Sequence, residues 1–208
     1  FRLDKEGAIL EKHSSPFGVL HVQHERFAEV LLAQVGCWLA EGEEQILLCG
    51  MVGSRQGWVE AKYLPCPVGV SDLVDSVIEV PFASAAVRLI SGVIGVDTDG
   101  VPEVMRGEET EAVGMLDACG GTGLVCLPGT HSKWIHLKER KIVSFITCMT
   151  GEVYAALRKC TILGRMMPID APMDDAAFLQ GVTRSADLGG LLHHLFSVRA
   201  LALMDQLK

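Results

Sequence analysis

The sequence lacks features that mark several classes of protein. No apolar run approaches the roughly 18 residues of a membrane-spanning helix, and the opening residues have neither the basic nor the apolar region of a secretory signal. Basic residues are in the minority, with 18 Lys and Arg against 26 Asp and Glu, for a formal net charge of -8. This balance argues against a nucleic-acid partner bound through a basic face. We therefore expect neither a membrane nor a nucleic-acid partner.

Cysteine spacing typical of metal sites is also absent. The seven cysteines are widely spaced, and the sequence contains no CxxC or CxxH pair, so it has no familiar zinc motif. Most of them lie in apolar stretches, such as residues 47–49 and 125–127. We expect buried, free thiols and a cytoplasmic location.

Apolar residues make up 49% of the 208 residues, enough for a sizeable core. Local patterns predict a hairpin at 1–10, a helix at 24–40, strands at 46–49 and 86–90, and an irregular segment at 53–69. Ser71 is the predicted cap of a further helix, and another helix is predicted from about Gly107. Three strands within 123–147 precede a helix that Thr150 can cap. The start of the chain repeats part of this order, which suggests two similar lobes, residues 1–106 and 107–208.

One stretch rich in hydrogen-bonding side chains follows the strand at 123–127. A turn that contains Gly can expose successive backbone N–H groups beside Thr and Ser hydroxyls, and such a nest suits phosphate oxygens. An ordinary hairpin turn is the alternative reading. The candidate phosphate-binding residues are Gly129, Thr130, His131, Ser132 and Lys133.

A second stretch places carboxylates at the predicted start of a helix. Arg106 and Gly107 lead into Glu108 and Glu109, and the helix dipole favours an ionised carboxylate at that position. Such a group could accept a proton from a substrate hydroxyl or help to hold magnesium. A solvated first turn rich in Glu is the alternative.

A third stretch, Gly50–Trp58, follows the predicted strand at 46–49. Its glycines, with Ser54, Arg55 and Trp58, could line a polar pocket at a strand end. A surface loop around a packed Trp58 would look the same in sequence.

Together, and in this order, the sequences GMVGSRQGW, VMRGEET, LPGTHSKW and TGE resemble the 2-dehydro-3-deoxygalactonokinase family. The resemblance runs through nearly the whole chain. It implies an α/β, ribonuclease-H-like (actin-like ATPase) kinase of two lobes that binds ATP and Mg²⁺ between them. It also implies phosphorylation of 2-dehydro-3-deoxy-D-galactonate at the C6 hydroxyl, in galactonate catabolism.

The resemblance assigns roles to the three stretches. Glu108 would be the general base, and Glu109 a substrate or metal neighbour. The turn at 129–133 would bind phosphate. The substrate contacts would be Ser54, Arg55, Trp58 and Arg106. Of these, Ser54, Arg55 and Arg106 could bind the carboxylate of the substrate.

The chain also departs from the family pattern. The superfamily begins with a strand and an Asp-x-Gly-Thr/Ser turn, but this chain opens with Phe1. We therefore expect that a native start, the first phosphate loop and the adenosine-binding end lie outside it. A kinase for another sugar or keto-sugar acid, and a non-catalytic sugar or nucleotide sensor on the same fold, remain alternatives. A homodimer is compatible with the sequence, which does not fix the oligomeric state.

Overall fold

The computed structural model describes residues 1–167, 170 and 172–206. Two compact units divide the chain, Phe1–Cys148 and Met149–Lys208. The first contains β1 (Arg2–Leu3), β2 (Ile9–Glu11), α1 (Phe27–Ala40), β3 (Gln45–Leu48), β4 (Tyr63–Pro65), β5 (Val68–Gly69), α2 (Val70–Asp75), β6 (Ile78–Val80), β7 (Ala86–Leu89), β8 (Gly92–Val96), β9 (Pro102–Met105), α3 (Glu108–Gly114), β10 (Gly123–Leu127), β11 (Ser132–Lys138) and β12 (Lys141–Cys148). The second contains α4 (Gly151–Cys160), α5 (Asp175–Ser185) and α6 (Gly190–Leu203). The chain is therefore a mixed α/β protein, as the resemblance implied.

Four small sheets organise the first unit. Strands β10, β11, β12 and β5 form an antiparallel sheet in that order. A second sheet has the order β4–β8–β9 and a third the order β3–β7–β6, each with one parallel and one antiparallel pairing. The hairpin of β1 and β2 stands alone. Strand β12 contacts both β8 and β9, so the antiparallel sheet packs against the β4–β8–β9 sheet.

The hairpin is tied to α1 by a cluster of charges. Arg2 pairs with Glu11, Glu41 and Glu43, and the indole N–H of Trp38 donates to Glu11 Oε2 at 2.9 Å. The indole bond and the Arg2 bond together lower the pKa of the Glu11 carboxyl. These contacts fasten the end of α1 to the hairpin.

The largest core lies where the antiparallel sheet meets α2, α3 and β8. Its fully buried members include Val93, Met105, Leu116, Ile135 and Ile142. A fully buried aliphatic side chain typically contributes about 1.5–3 kcal/mol through removal from water. This core draws on residues from both sides of the predicted lobe boundary at 106 and 107. The boundary stays a prediction, because it concerns the lobes of the family fold.

The second unit is helical, and two of its polar contacts lie near helix starts. Asp174 caps α5 by accepting from the Ala177 N–H at 3.0 Å. The buried His194 ring lies 2.9 Å from the Asp187 carbonyl through Nε2. Among the described residues, no helix combines the length and the apolar character needed to cross a bilayer.

Most predicted elements of the first unit are present, with three corrections. The segment at 53–69 was expected to be irregular, but it contains β4 and β5, which form only through pairing with β8 and β12. Helix α2 begins at Val70, and its cap is Gly69, whose N–H donates to Asp72 Oδ2 at 2.8 Å, so the prediction of Ser71 as cap was wrong. The third correction concerns the cysteines. All seven are free, yet Cys37, Cys49, Cys126 and Cys160 are exposed rather than buried.

Candidate functional site

The turn between β10 and β11 is exposed, as a phosphate-binding turn must be. Pro128, Gly129, Thr130 and His131 all face solvent. The Gly129 N–H donates to Ser132 Oγ at 3.3 Å, which closes the turn. A Cβ at Gly129 would meet no atom within 4 Å, so there is open space beside this backbone for a ligand.

The start of α3 depends on a glycine that no other residue could replace without strain. Gly107 has φ +111°, and a Cβ there would lie 3.1 Å from the Gly50 Cα. This close approach joins the loop after β3 to the first turn of α3. Glu108 and Glu109 follow at once, so the backbone of Gly107 sets where both carboxylates lie.

The two acidic side chains face different surroundings. The side chain of Glu108 is 25% exposed, and its Oε2 accepts from the Arg106 N–H at 3.0 Å. Glu109 is 0% exposed, and both of its oxygens accept from the Gly107 N–H, at 2.9 and 2.7 Å. Burial raises the pKa of the Glu109 carboxyl, although the Gly107 bond and the Thr110 hydroxyl oppose the shift. Only Glu108 is therefore placed to meet a substrate in this structure.

A buried lysine joins the turn to the helix start. Lys133 lies one residue beyond Ser132, and its Nζ is 3.1 Å from Glu108 Oε1. One side chain from each of the two stretches that sequence singled out, at 106–109 and 129–133, is thus in contact. A common crevice for Glu108 and the backbone donors at 129–132, which the enzymatic hypothesis requires, stays a prediction. Lys133 had been predicted to contact phosphate, and that role stays a prediction.

The buried Arg106 side chain lies beside the loop residue Gly53, and these surroundings are called the arginine pocket below. The residue is 8% exposed, its Nη2 donates to the Ala61 carbonyl at 2.7 Å, and its guanidinium lies 4.3 Å from the Tyr63 ring centroid. Among the described residues, its Nε and Nη1 find no hydrogen-bond partner, and neither does the buried Ser54 Oγ. Such groups are costly to bury without a partner, and all of them can donate to an anion.

Gly53 makes this pocket possible. A Cβ at Gly53 would lie 3.1 Å from Arg106 Nη1, so a larger residue would press on the guanidinium. Gly53 and Ser54 lie at the end of the short 3-10 turn (Met51–Gly53) that follows β3, while Arg106 comes directly after β9. The pocket is therefore assembled from the segments that follow two strands.

The other two predicted substrate residues lie apart from these donors. The Arg55 side chain is 87% exposed, with its Nε 3.5 Å from Glu60 Oε1. Trp58 packs between Phe27 and Phe82, at ring-centroid distances of 6.3 and 6.2 Å. These contacts match the alternative reading of a packed Trp58, and substrate roles for Arg55 and Trp58 stay predictions.

Sequence reasoning missed several residues of the site. Ala61 and Tyr63 hold the Arg106 guanidinium but lie in the segment read as irregular. Glu103 was also missed; its Oε2 accepts from the Thr147 N–H at 3.2 Å and links β9 to β12 beside Lys133. A more careful search for short strands in 53–69 could have found Tyr63, whereas no local signal points to Glu103.

The described residues do not fit a magnesium site held by this chain. They contain no group of three or more His, Cys, Asp or Glu side chains that could hold a metal ion. The oxygens of Glu108 accept from Lys133 and Arg106, and those of Glu109 accept from Gly107. The oxygens of these two carboxylates are therefore already engaged by donors of the protein.

The fold and the site define a mixed α/β protein with a partly exposed carboxylate, an exposed Gly-Thr turn and a buried arginine in one unit. The chain belongs to the 2-keto-3-deoxy-galactonokinase family, whose sequence model matches residues 1–208. It is 34% identical over 205 residues to a probable 2-dehydro-3-deoxygalactonokinase of Rhizobium meliloti (strain 1021). It is also 34% identical over 191 residues to the 2-dehydro-3-deoxygalactonokinase of Escherichia coli (strain K12).

A solved structure agrees with this assignment. The crystal structure of a candidate 2-dehydro-3-deoxygalactonokinase from Sinorhizobium meliloti superposes with a TM-score of 0.87 at 33% identity, over 99% of this chain and 69% of that one. The sequence matches cover 95% and 92% of this chain but only 66% and 63% of the two curated relatives. The chain therefore spans about two thirds of the length of the proteins it resembles.

Proposed function

We propose that the protein phosphorylates 2-dehydro-3-deoxy-D-galactonate at the C6 hydroxyl with ATP, as a step of galactonate catabolism in the cytoplasm. Family membership supports the reaction class. The observation that carries the proposal is the 3.1 Å contact between Lys133 and Glu108, because it joins a partly exposed carboxylate at the start of α3 to the strand that follows the Gly-Thr turn. The proposed fold is the ribonuclease-H-like, actin-like kinase fold, and a homodimer is part of the proposal.

In the proposed reaction Glu108 is the general base. Its carboxylate accepts the proton of the C6 hydroxyl as the hydroxyl oxygen forms a bond to the γ-phosphorus of ATP. The bond between that phosphorus and the β–γ bridging oxygen breaks, and ADP leaves with the electron pair. Glu109 supports the start of the helix from within the core.

The turn at 129–132 is the proposed contact for the phosphates of ATP. Backbone N–H groups and hydroxyls aimed at a phosphate stabilise charge that moves during transfer. The open space beside Gly129 supports this role. Mg²⁺ is proposed to arrive with ATP, where it supplies positive charge to the phosphates, since the described residues offer it no cluster of ligands.

The carboxylate of the sugar acid is proposed to bind Arg106 and Ser54. Arg106 Nε and Nη1 and Ser54 Oγ are buried donors that lack a partner within the part of the chain that the structure describes, and guanidinium and hydroxyl donors suit a carboxylate. This pocket favours a sugar acid over a neutral hexose, because a neutral ligand would leave the buried guanidinium without a counter-charge.

Substrate-dependent ADP release tests the proposal. The assay compares 2-dehydro-3-deoxy-D-galactonate with its gluconate epimer, with galactonate and with a neutral hexose, in this chain and in the longest form that its gene encodes. Glu108→Gln should abolish turnover while sugar binding, measured by calorimetry, persists. Normal turnover by this variant would reject Glu108 as the base. Binding of sugar or nucleotide without ADP release by the unaltered protein would favour a sensor.

A further inference from the structure

Lys133 occupies a position where the sheet calls for an apolar side chain. On β11 the side chains at 133, 135 and 137 all face inward, and Ile135 and Leu137 are members of the core. Lys133 itself is 4% exposed. A buried ammonium is costly unless it has a counter-charge, so a lysine at this inward position needs a specific partner.

Glu108 is that partner. It is the acidic residue that pairs with Lys133 in the described part of the chain, at 3.1 Å from Nζ to Oε1. The other oxygen of Glu108 accepts from the Arg106 N–H at 3.0 Å. With one donor on each oxygen, the plane of the carboxylate is set from two directions.

The strand register fixes the position of the lysine. In the sheet, Lys133 lies between Leu127 of β10 and Thr147 of β12, and Thr147 is bound through its N–H to Glu103. The ammonium therefore projects from paired backbone at the point where the exposed turn ends. A residue held in this way can orient the group that it contacts.

We infer that Lys133 is a positioning residue, which holds the Glu108 carboxylate aimed at the substrate hydroxyl rather than binding phosphate itself. The inference rests on the proposed function, since it gives Lys133 its role through the proposed base. It also explains why a charged side chain takes an inward position on the strand whose next inward residues, Ile135 and Leu137, are apolar. Because the lysine follows the turn directly, the same strand that presents the phosphate-binding turn would set the base.

The test replaces Lys133 by Met and follows the Arg106 amide by NMR in the 208-residue chain. Without the ammonium the carboxylate loses one of its two anchors, so the Arg106 amide should exchange with solvent about tenfold faster, the effect expected for weakening a hydrogen bond to a charged acceptor. Lys133→Arg should restore slow exchange. Lys138→Met, at the exposed end of the same strand, is the matched control. Unchanged exchange in folded Lys133→Met would overturn the inference.

Steady-state kinetics, measured in whichever form of the protein has kinase activity, provides a second readout. Lys133→Met should lower kcat about a hundredfold with KM for ATP nearly unchanged, as expected when a general base is no longer held in place, and Lys133→Arg should recover part of the loss. A large rise in KM for ATP with kcat unchanged would instead make Lys133 a phosphate contact and would overturn the inference.

Further outcomes distinguish a positioning role of Lys133 from a purely structural role and from failure of the proposed function. If Lys133→Met does not fold, Lys133→Gln carries the same measurements, and failure of both to fold would overturn the inference by making Lys133 a residue of the fold alone. Absence of kinase activity toward every sugar acid would reject the proposed function, and with it the catalytic purpose of the pair. Kinase activity with an unaltered Arg106 amide in Lys133→Met would reject the role of Lys133 alone.

Discussion

Replacing Glu109 with Gln tests the electrostatics at the start of α3. Glu109 is fully buried, and burial raises the pKa of its carboxyl in the folded chain. The folded state therefore binds the proton more tightly than the unfolded state does. As a result, the contribution of Glu109 to stability is fully present below the unfolded-state pKa and is lost as pH rises through the folded-state pKa.

Glutamine is a close match for the protonated form of Glu109. Like a neutral carboxyl group, its amide offers a single accepting oxygen to the Gly107 N–H, and it has no proton to lose. We therefore expect Glu109→Gln and the unaltered chain to have similar free energies of unfolding at about pH 4, near the unfolded-state value for Glu. At about pH 7.5 the variant should be the more stable, by about 1.4 kcal/mol for each unit by which the pKa is raised.

The measurement is reversible urea unfolding of both proteins, followed by circular dichroism at several pH values. The difference between the two curves isolates Glu109, because other groups are common to both. Asp72, for example, has a pKa lowered mainly by the Gly69 N–H and loses its contribution as pH falls. Glu111→Gln, on the exposed side of the same helix, controls for the change in formal charge. A difference that stays constant with pH, or that favours the unaltered chain at high pH, would refute the reasoning.

Two further predictions concern the loop after β3 and the arginine pocket. Gly57→Ala should lower the free energy of unfolding, measured by urea titration, by about 2 kcal/mol. The reason is that the added Cβ would lie 2.2 Å from the Val52 carbonyl oxygen and clash with the backbone. Gly114→Ala is the control, because a Cβ there meets nothing within 4 Å. Arg106→Met should raise KM for the sugar acid about tenfold to a hundredfold, the loss expected for a charge-assisted hydrogen bond. Arg55→Met should have little effect. Equal effects of the two substitutions would argue against binding of the substrate carboxylate by Arg106.

Local sequence was sufficient for three of the four strands of the antiparallel sheet. Strands β10, β11 and β12 follow one another through short turns, so their pairing is set by neighbours along the chain. The short strands β4 and β5 were missed because two or three residues carry no periodicity. They exist through pairing with β8 and β12, which lie tens of residues away, and such pairing is not written in the local pattern.

The chemistry of the site stays a prediction, whereas part of its geometry is new. The residue types at 106–109 and 129–133, taken with the family resemblance, led to the predictions of a base and a phosphate-binding turn. Sequence could not indicate that Glu109 is buried whereas Glu108 is partly exposed, because adjacent residues on a helix differ by 100° in direction. Nor could it show that Lys133 points inward, which depends on the register of β11 between its two neighbours.

Arg106 connects the two parts of the site through two different groups. Its backbone N–H donates to Glu108, while its side chain extends to Ala61 and the donors around Ser54. The distance between the proposed base and the proposed carboxylate pocket is therefore set within one residue, which suits a substrate that carries its acid group and its reacting hydroxyl at opposite ends. Substitution of the side chain leaves the N–H in place, so Arg106→Met should impair recognition of the acid without releasing Glu108. Lys133→Met should do the converse, and a pair of variants that failed to separate in this way would show that the two pockets do not act on one ligand.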